Sequence, residues 1–326
     1  MISPCVKVIK SSGESVRKML IELGAVDRTL KIKADERFLY IPVQNQELVP
    51  STMEITTGDF KKMKKPRTLE EILGFAPAFD VIGDIAILDT EASRNAEEIA
   101  RAILAVHKNV RTVLSAVTPV TGEFRVRKFR VIAGESRTNT TYKEHGCRYL
   151  VDLQRAYFNP RLSTERARIA EQIRHDETAI DMFAGVGSFS ILIAKRAKQV
   201  IAIDINPDAI KFLRENVHLN SVTNVEAIQG DVRDVAACLK GRADRIIMNL
   251  PHSAHEYLNE ALIMLKHGGT IHYYDIGHED ELFDGAIEAI RNAAALHRRN
   301  IEILNRKKVK SYAPRQYYIC VDVRVS

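Results

Sequence analysis

The chain has 326 residues, 45% hydrophobic and 28% charged, with a formal net charge of +6. That length predicts two or three domains, and that composition excludes wholesale disorder. No apolar run approaches the roughly 20 residues of a membrane-spanning helix, and the first residues lack a signal-peptide core, so a cytoplasmic protein with no membrane partner is expected. Cys5, Cys147, Cys238 and Cys320 form no close pair and read as four small core residues rather than zinc ligands or a disulfide framework.

Residues 1–50 predict a small α/β module. CVKVIK alternates like a strand, SGESVRKMLIELGAV reads as a helix capped by Ser12, and LKIKA and FLYIPV read as a strand pair. Residues 51–68 are polar and basic with a late proline and read as a linker. A middle α/β domain is expected over 69–150. VIGDIAILD gives two strands about a turn, EEIARAILAVHK an amphipathic helix, and TVLSAV a short strand. FRVRKFRVIAG alternates throughout, which predicts a half-exposed strand with one basic face, and TTYKEHG and CRYLVDL predict a strand pair. Residues 101–148 carry ten Lys or Arg against three Glu, and residues 296–315 carry seven against one. Two separate basic zones suit a long phosphate backbone better than a small anion, with solvated surface as the plain alternative.

From residue 151 the pattern becomes β/α alternation. AIDMFAG, VIAIDI, VEAIQGD, DRIIMNLP and TIHYYDI read as buried strands, with helices at SFSILIAKRA, PDAIKFLRENVHLN and AHEYLNEALIMLK. This predicts a parallel sheet covered on both faces, closed by a further helix and a hairpin of IEILNRKKVK and QYYICVDVRV. Ligands of such sheets bind beyond the carboxyl ends of the strands.

The glycine turn lies in Asp181-Met-Phe-Ala-Gly-Val-Gly, where Gly185 and Gly187 permit close backbone approach to a ligand. Asp204 ends the second strand nineteen positions after Gly185, where a carboxylate can accept both hydroxyls of a ribose. Asp231 ends the third strand, where an acid can meet an adenine amino group, and Asn249-Leu250-Pro251 ends the fourth. Either acid alone reads equally well as a helix cap. The ordered set resembles the class I S-adenosylmethionine-dependent methyltransferases over residues 151–326. That resemblance implies a Rossmann-like α/β domain with a seven-stranded, mostly parallel sheet and an antiparallel last strand. It also implies S-adenosylmethionine as cofactor, held by Phe183, Gly185, Gly187, Asp204, Ile205, Asp231, Val232 and Asn249, with no metal.

Three further segments are Gly122-Glu-Phe-Arg-Val-Arg127, Tyr157-Phe-Asn-Pro-Arg-Leu-Ser-Thr-Glu-Arg-Ala-Arg168 and Lys310-Ser-Tyr-Ala-Pro-Arg315. With DMFAGVG, AIDINP and MNLP they resemble the archaeal and eukaryotic tRNA guanine-37 N1-methyltransferases, over nearly the whole chain and in the archaeal form with a small N-terminal module. Guanine N1 carries a proton that must leave before methylation. The resemblance makes Glu165 the base that removes it and Arg125 the cation that steadies the charge pushed onto O6. Read without the family, Glu165 is a carboxylate at a helix N-terminus and Arg125 a phosphate-binding arginine on a strand beside Arg127. Asn249 is expected to orient the guanine and Tyr157 to stack or position it, a core tyrosine being the plain alternative; His252 reads as a rim residue. Arg166 is assigned to the methionyl carboxylate of the cofactor. Arg127, Arg161, Arg168, Lys310 and Arg315 are assigned to tRNA phosphates. The implied partner is tRNA, through its anticodon stem–loop and outer body, bound by a monomer. Two other readings stand beside this one: methylation of a wyosine-pathway intermediate at the same tRNA position, and a non-catalytic RNA-binding protein.

Overall fold

The computed structural model describes residues 1–63, 68–88, 95–119 and 122–326. They fall into two compact units, Met1–Glu71 and Ile72–Ser326. The first holds β1 (Ile2–Ile9), α1 (Gly13–Glu22), β2 (Lys33–Ala34), β3 (Phe38–Pro42) and β4 (Ile55–Asp59). The four strands form one sheet in the order β2-β3-β1-β4, with α1 packing Leu20 against Val6, Ile41 and Val43. Ser12 stands at the cap of α1, but its hydroxyl donates to the Ile9 carbonyl instead of capping the helix.

β4 corrects the expected linker. Its residues pair antiparallel with β1 from Ile2 opposite Asp59 to Val6 opposite Ile55. ITTGD has too few apolar residues to show a core-facing alternation, yet its β-branched threonines suit an edge strand. Phe60 follows and buries its ring with Cys5 and Leu30. A Cβ on Gly58 would come within 2.9 Å of that ring, so the missing side chain is what lets Phe60 fold under the sheet. The rest of the expected linker, residues 64–67, lies outside the described residues.

α2 (Leu69–Leu73) spans the boundary between the units. Within the second unit, β5 (Phe79–Ile82), β6 (Ile85–Leu88), α3 (Ala96–Val106), β7 (Thr112–Ala116) and β8 (Phe129–Gly134) make a four-stranded sheet in chain order. β8 is shorter than its alternation suggests. Gly122 turns the chain at φ +72°, the Arg125 N–H returns to the Gly122 carbonyl at 3.1 Å, and Arg125 itself sits at φ +52°. FRVRKF is a turn through Arg125 that enters the strand only at Phe129.

The hairpin β9 (Asn139–Glu144) and β10 (Cys147–Asp152) follows. Then come α4 (Ser163–Gln172), β11 (Thr178–Asp181), α5 (Ser188–Ala194), β12 (Gln199–Asp204), α6 (Pro207–Leu219), β13 (Val225–Gln229) and α7 (Val232–Val235). β14 (Ala243–Met248), α8 (Leu258–Met264), β15 (Leu265–His278), α9 (Asp284–Leu296), β16 (Ile301–Ala313) and β17 (Gln316–Val325) complete the chain. The large sheet has the order β13-β12-β11-β14-β15-β17-β16. β11 to β15 are parallel, and β17 inserts antiparallel between β15 and β16, as the class I resemblance implies.

The hairpin, expected in the middle domain, packs on this sheet's helices. Asn216 of α6 accepts the Leu150 N–H at 2.6 Å and donates back to the Leu150 carbonyl at 2.9 Å. Ile85 and Leu114 of the small sheet, Tyr149 and Val151 of the hairpin, and Phe189 and Ile193 of α5 share one apolar cluster. The two sheets of this unit are therefore joined by a continuous core. Three cysteines are buried, but Cys238 is exposed, against its reading as a core residue.

Candidate active site

Strand order runs outward from β11 in opposite directions, through β12 on one side and β14 on the other, so the carboxyl ends of these strands leave a crevice between their loops. A cleft of about 1050 Å³, solvent at its mouth included, opens there. Its floor is the glycine turn. Gly185 sits at φ +55° and Gly187 at φ +87°, left-handed conformations that side chains resist. A Cβ on Gly187 would also stand 3.1 Å from Leu213 and 3.2 Å from Ile191.

Asp204, at the end of β12, is fixed by two backbone donors: the Gly185 N–H to Oδ2 at 2.7 Å and the Asn206 N–H to Oδ1 at 2.9 Å. Each oxygen keeps a second lone pair for a ligand hydroxyl. Burial pushes this carboxyl up, and the two donors pull it partly back. Asp231 lines the cleft and also caps α7, accepting the Arg233 N–H at 2.8 Å. Phe183, Ile205 and Val232 add apolar wall. Tyr257 packs edge-on to Phe183 at 5.1 Å and lines the cleft as well; in the sequence it is one more residue of a helical stretch with no signal of its own.

Beneath the turn, Asp181 is fully buried. Its Oδ2 accepts the Ser190 hydroxyl at 2.7 Å, while Oδ1 has no partner. Burial, and then the neighbouring Asp204 charge, push this carboxyl up to about 7.

The opposite wall carries Arg125, Tyr157 and Asn249. Arg125 Nη1 donates to the Pro251 carbonyl at 3.1 Å, and its guanidinium lies 5.5 Å from the Tyr157 ring centre. Tyr157 OH accepts from Asn159 Nδ2 at 3.2 Å. Asn249 Oδ1 accepts the hydroxyl of buried Tyr318, which fixes the amide and leaves its NH₂ group to donate into the cleft. His252, at φ +81°, meets the Tyr312 hydroxyl at 3.1 Å through Nε2. Burial and the Arg125 charge both push its ring toward the neutral form.

Residues 140–304 match the family model described as the TRM5/TYW2 methyltransferase domain. The chain belongs to the TRM5/TYW2 methyltransferase family. Residues 5–47 match the tRNA methyltransferase 5 N-terminal domain, and residues 63–138 match the TYW2 N-terminal domain. The chain is 44% identical to the tRNA (guanine(37)-N(1))-methyltransferase Trm5b of Pyrococcus abyssi, over 98% of each chain. A solved complex of aTrm5 with tRNALeu is 35% identical over 99% of each chain, with a TM-score of 0.74. The TYW2 of Methanocaldococcus jannaschii, solved with AdoMet, is 29% identical with a TM-score of 0.62; that match covers 76% of this chain and 99% of the other.

Not every residue singled out in the sequence of this TRM5/TYW2 member reaches the cleft. Glu165 is buried beside it but does not line it. Both its oxygens are held by Arg168, at 2.6 and 2.9 Å, and Tyr274 donates to Oε1 at 2.8 Å. Arg168, assigned to a tRNA phosphate, bridges Glu165 and Asp322. Arg166 lines the cleft, but its guanidinium already grips Glu144 at 2.5 and 2.7 Å and the Asn159 carbonyl at 3.1 Å. The sequence assigned it a carboxylate of the cofactor; the fold gives it one from β9, a partner that no local pattern reveals.

Among the surface cations, Arg161 pairs with Asp80 and Arg315 with Glu279 and Asp280, all partly exposed. Arg127 donates from Nε to the Thr118 carbonyl at 3.3 Å, and its guanidinium lies 5.9 Å from the Phe129 ring centre. Lys310 is half-buried, 5.6 Å from the Tyr318 ring centre, and burial pushes its ammonium toward the neutral form. Gly187 shapes the turn from behind.

Proposed function

We propose that this protein transfers the methyl group of S-adenosylmethionine to N1 of guanosine 37 in tRNA. The observation that carries the reading is the cleft itself. Its β12 side presents a carboxylate locked by two backbone donors, and its other side gathers Arg125, Tyr157 and the donor face of Asn249. Similarity to Trm5 proteins extends over the N-terminal module, whereas the TYW2 match leaves about a quarter of the chain uncovered, which favours guanosine over a wyosine-pathway substrate.

The residues fit S-adenosylmethionine. Asp204 would accept its ribose hydroxyls, Asp231 its adenine amino group, and Phe183, Ile205 and Val232 would bound the adenine. Each Asp204 oxygen keeps a lone pair beyond its backbone donor, as a pair of ribose hydroxyls requires. Bound there, the cofactor supplies a methyl carbon made electrophilic by sulfonium sulfur. Arg125 donates to guanine O6, where negative charge gathers as the N1 proton leaves. The Asn249 amide donates to the base edge, and Tyr318 prevents that amide from flipping. Tyr157 stacks on or flanks the base under the Arg125 guanidinium. Glu165 takes the N1 proton, which requires its carboxylate to turn out of the Arg168 fork toward the cleft. The tRNA approaches as a single molecule to a monomer, its anticodon loop at the cleft and its outer body read by the N-terminal module. A flipped loop base costs less unstacking than a duplex base, which suits position 37.

The test is incubation of the protein with S-adenosylmethionine and an unmodified tRNA transcript, followed by mass mapping of the product. N1-methylguanosine at position 37 is the expected result. Methylation elsewhere, or only of transcripts carrying a tricyclic precursor at 37, overturns the reading.

A further inference from the structure

Behind the cleft, α4, β15 and β17 bring a chain of ionisable side chains together in the interior. Arg168 holds Glu165 at 2.6 and 2.9 Å and, with the same guanidinium, Asp322 at 2.5 and 3.2 Å. Asp322 Oδ1 meets His272 Nδ1 at 2.6 Å. His272 Nε2 faces Arg245 Nη1 at 2.8 Å, and Arg245 forms a second fork on Glu177, 3.1 Å to each oxygen. A ring nitrogen facing a guanidinium is an acceptor, so Nδ1 carries the hydrogen and donates to Asp322. Burial pushes His272 toward that neutral form. Burial alone would raise the Asp322 carboxyl, but His272 and Arg168 together hold it far below the ordinary range. The other groups facing Glu165 are uncharged: the Tyr274 and Tyr318 hydroxyls and the Cys320 thiol are all pushed up by burial. Arg166, on the same helix, is neutralised by Glu144.

One cation thus sits between two carboxylates, and only Glu165 is assigned a proton to carry. A lone Glu165–Arg168 pair would be a poor device for that task. Protonating the glutamate would strand a guanidinium in the interior without a counter-ion, which is strongly unfavourable. With Asp322 present, Arg168 keeps a full negative partner before, during and after the transfer.

We propose that Asp322 is a positioning residue that makes Glu165 a reversible proton acceptor, by keeping Arg168 neutralised in either protonation state of the glutamate. This rests on the reading of Glu165 as the base. In that step the guanine N1–H bond breaks and an O–H bond forms on Glu165. The electron pair left on N1 then bonds the methyl carbon while the carbon–sulfur pair remains on sulfur, and the proton on Glu165 returns to solvent. Guanine gains a methyl group and loses a proton, and no other reactant is consumed.

The experiment is single-turnover methyl transfer as a function of pH, with saturating cofactor and tRNA, on the wild type, D322N, R168Q and E165Q. D322N leaves the whole Arg168 charge on Glu165. The acid limb of its rate profile is expected to move down by about one pH unit, and its plateau to fall at least about threefold. R168Q removes the cation, and its acid limb is expected to move up by about one unit. Opposite shifts, with cofactor binding by calorimetry unchanged, support the proposal; a purely structural role moves neither limb. Limbs that stay put, or that move the same way, overturn it. Should D322N fail to fold, R168Q decides, and an unmoved limb in that variant overturns the proposal. E165Q separates the two ideas. Full activity in E165Q removes the base reading itself, whereas an inactive E165Q with unmoved limbs in the other two variants removes only the role of Asp322.

Discussion

Asp181 turns a carboxyl buried under the glycine turn into a measurable dependence of stability on pH. Its carboxyl titrates near 3.8 in an unfolded chain and is pushed up to about 7 in the folded one, by burial and then by the Asp204 charge. The folded state therefore holds the extra proton between these values. Stability is fully present below about pH 4, falls as pH rises through the window, and levels off above about pH 8. A shift of about three units corresponds to about 4 kcal/mol. D181N removes the titration and keeps the shape. Its amide oxygen can take the Ser190 hydroxyl, but the NH₂ group then replaces the unpartnered Oδ1 as a buried donor without an acceptor. That costs about 1–3 kcal/mol at every pH. Urea denaturation of the ligand-free wild type and variant should show D181N the less stable by that amount at about pH 3 and equal to or more stable than the wild type at about pH 8. His272 and Asp322 titrate in both chains, so the difference between the chains isolates Asp181. A stability gap that stays constant to within about 0.5 kcal/mol across the two pH values would refute the reasoning.

Gly187→Ala adds about 1–2 kcal/mol of left-handed strain to contacts of 3.1 and 3.2 Å with Leu213 and Ile191, and should weaken S-adenosylmethionine binding at least about tenfold by calorimetry; unchanged affinity would show that the turn tolerates a side chain. Asp204→Ala strips the acceptor from the Gly185 and Asn206 N–H groups and should cost about 10- to 100-fold in cofactor affinity, with tRNA affinity in a filter-binding assay unchanged. Arg125→Ala should slow single-turnover methylation about 100-fold or more while cofactor affinity holds, and an equal loss in both would make Arg125 a binding residue instead.

The half of the site built on local sequence was legible. Gly185, Asp204, Asp231 and Asn249 each close a strand of one regular β/α repeat, and strands that lie side by side in a parallel sheet bring their ends to one rim. Their positions along the chain therefore translate directly into positions around the cleft. The cations did not translate. Arg168, Arg161, Arg315 and Arg166 all look alike as basic residues in a polar run, yet each has an acidic partner from a distant element: Asp322, Asp80, Glu279 and Glu144. An ion pair between residues far apart in sequence leaves no trace in local pattern, and neither does the side of a helix on which Glu165 is held.

The fold divides the same way. Periodicity and turn residues specified the individual strands, the flanking helices and the terminal hairpin, because those signals come from neighbours within one element, while the seven-stranded sheet followed from the family resemblance. Only the tertiary structure made a strand of the polar segment Ile55–Asp59, turned Arg125 out of its apparent strand, and joined the small sheet to the large one through Tyr149 and Phe189. For the edge strand and the hairpin the deciding contacts are with residues remote in the chain, β1 and the α5 face, whereas the Arg125 turn closes locally on Gly122 and only its guanidinium reaches a remote partner, Pro251. Pairing and burial of that kind are set by which surfaces meet after the chain has folded, and a linear pattern carries no term for them.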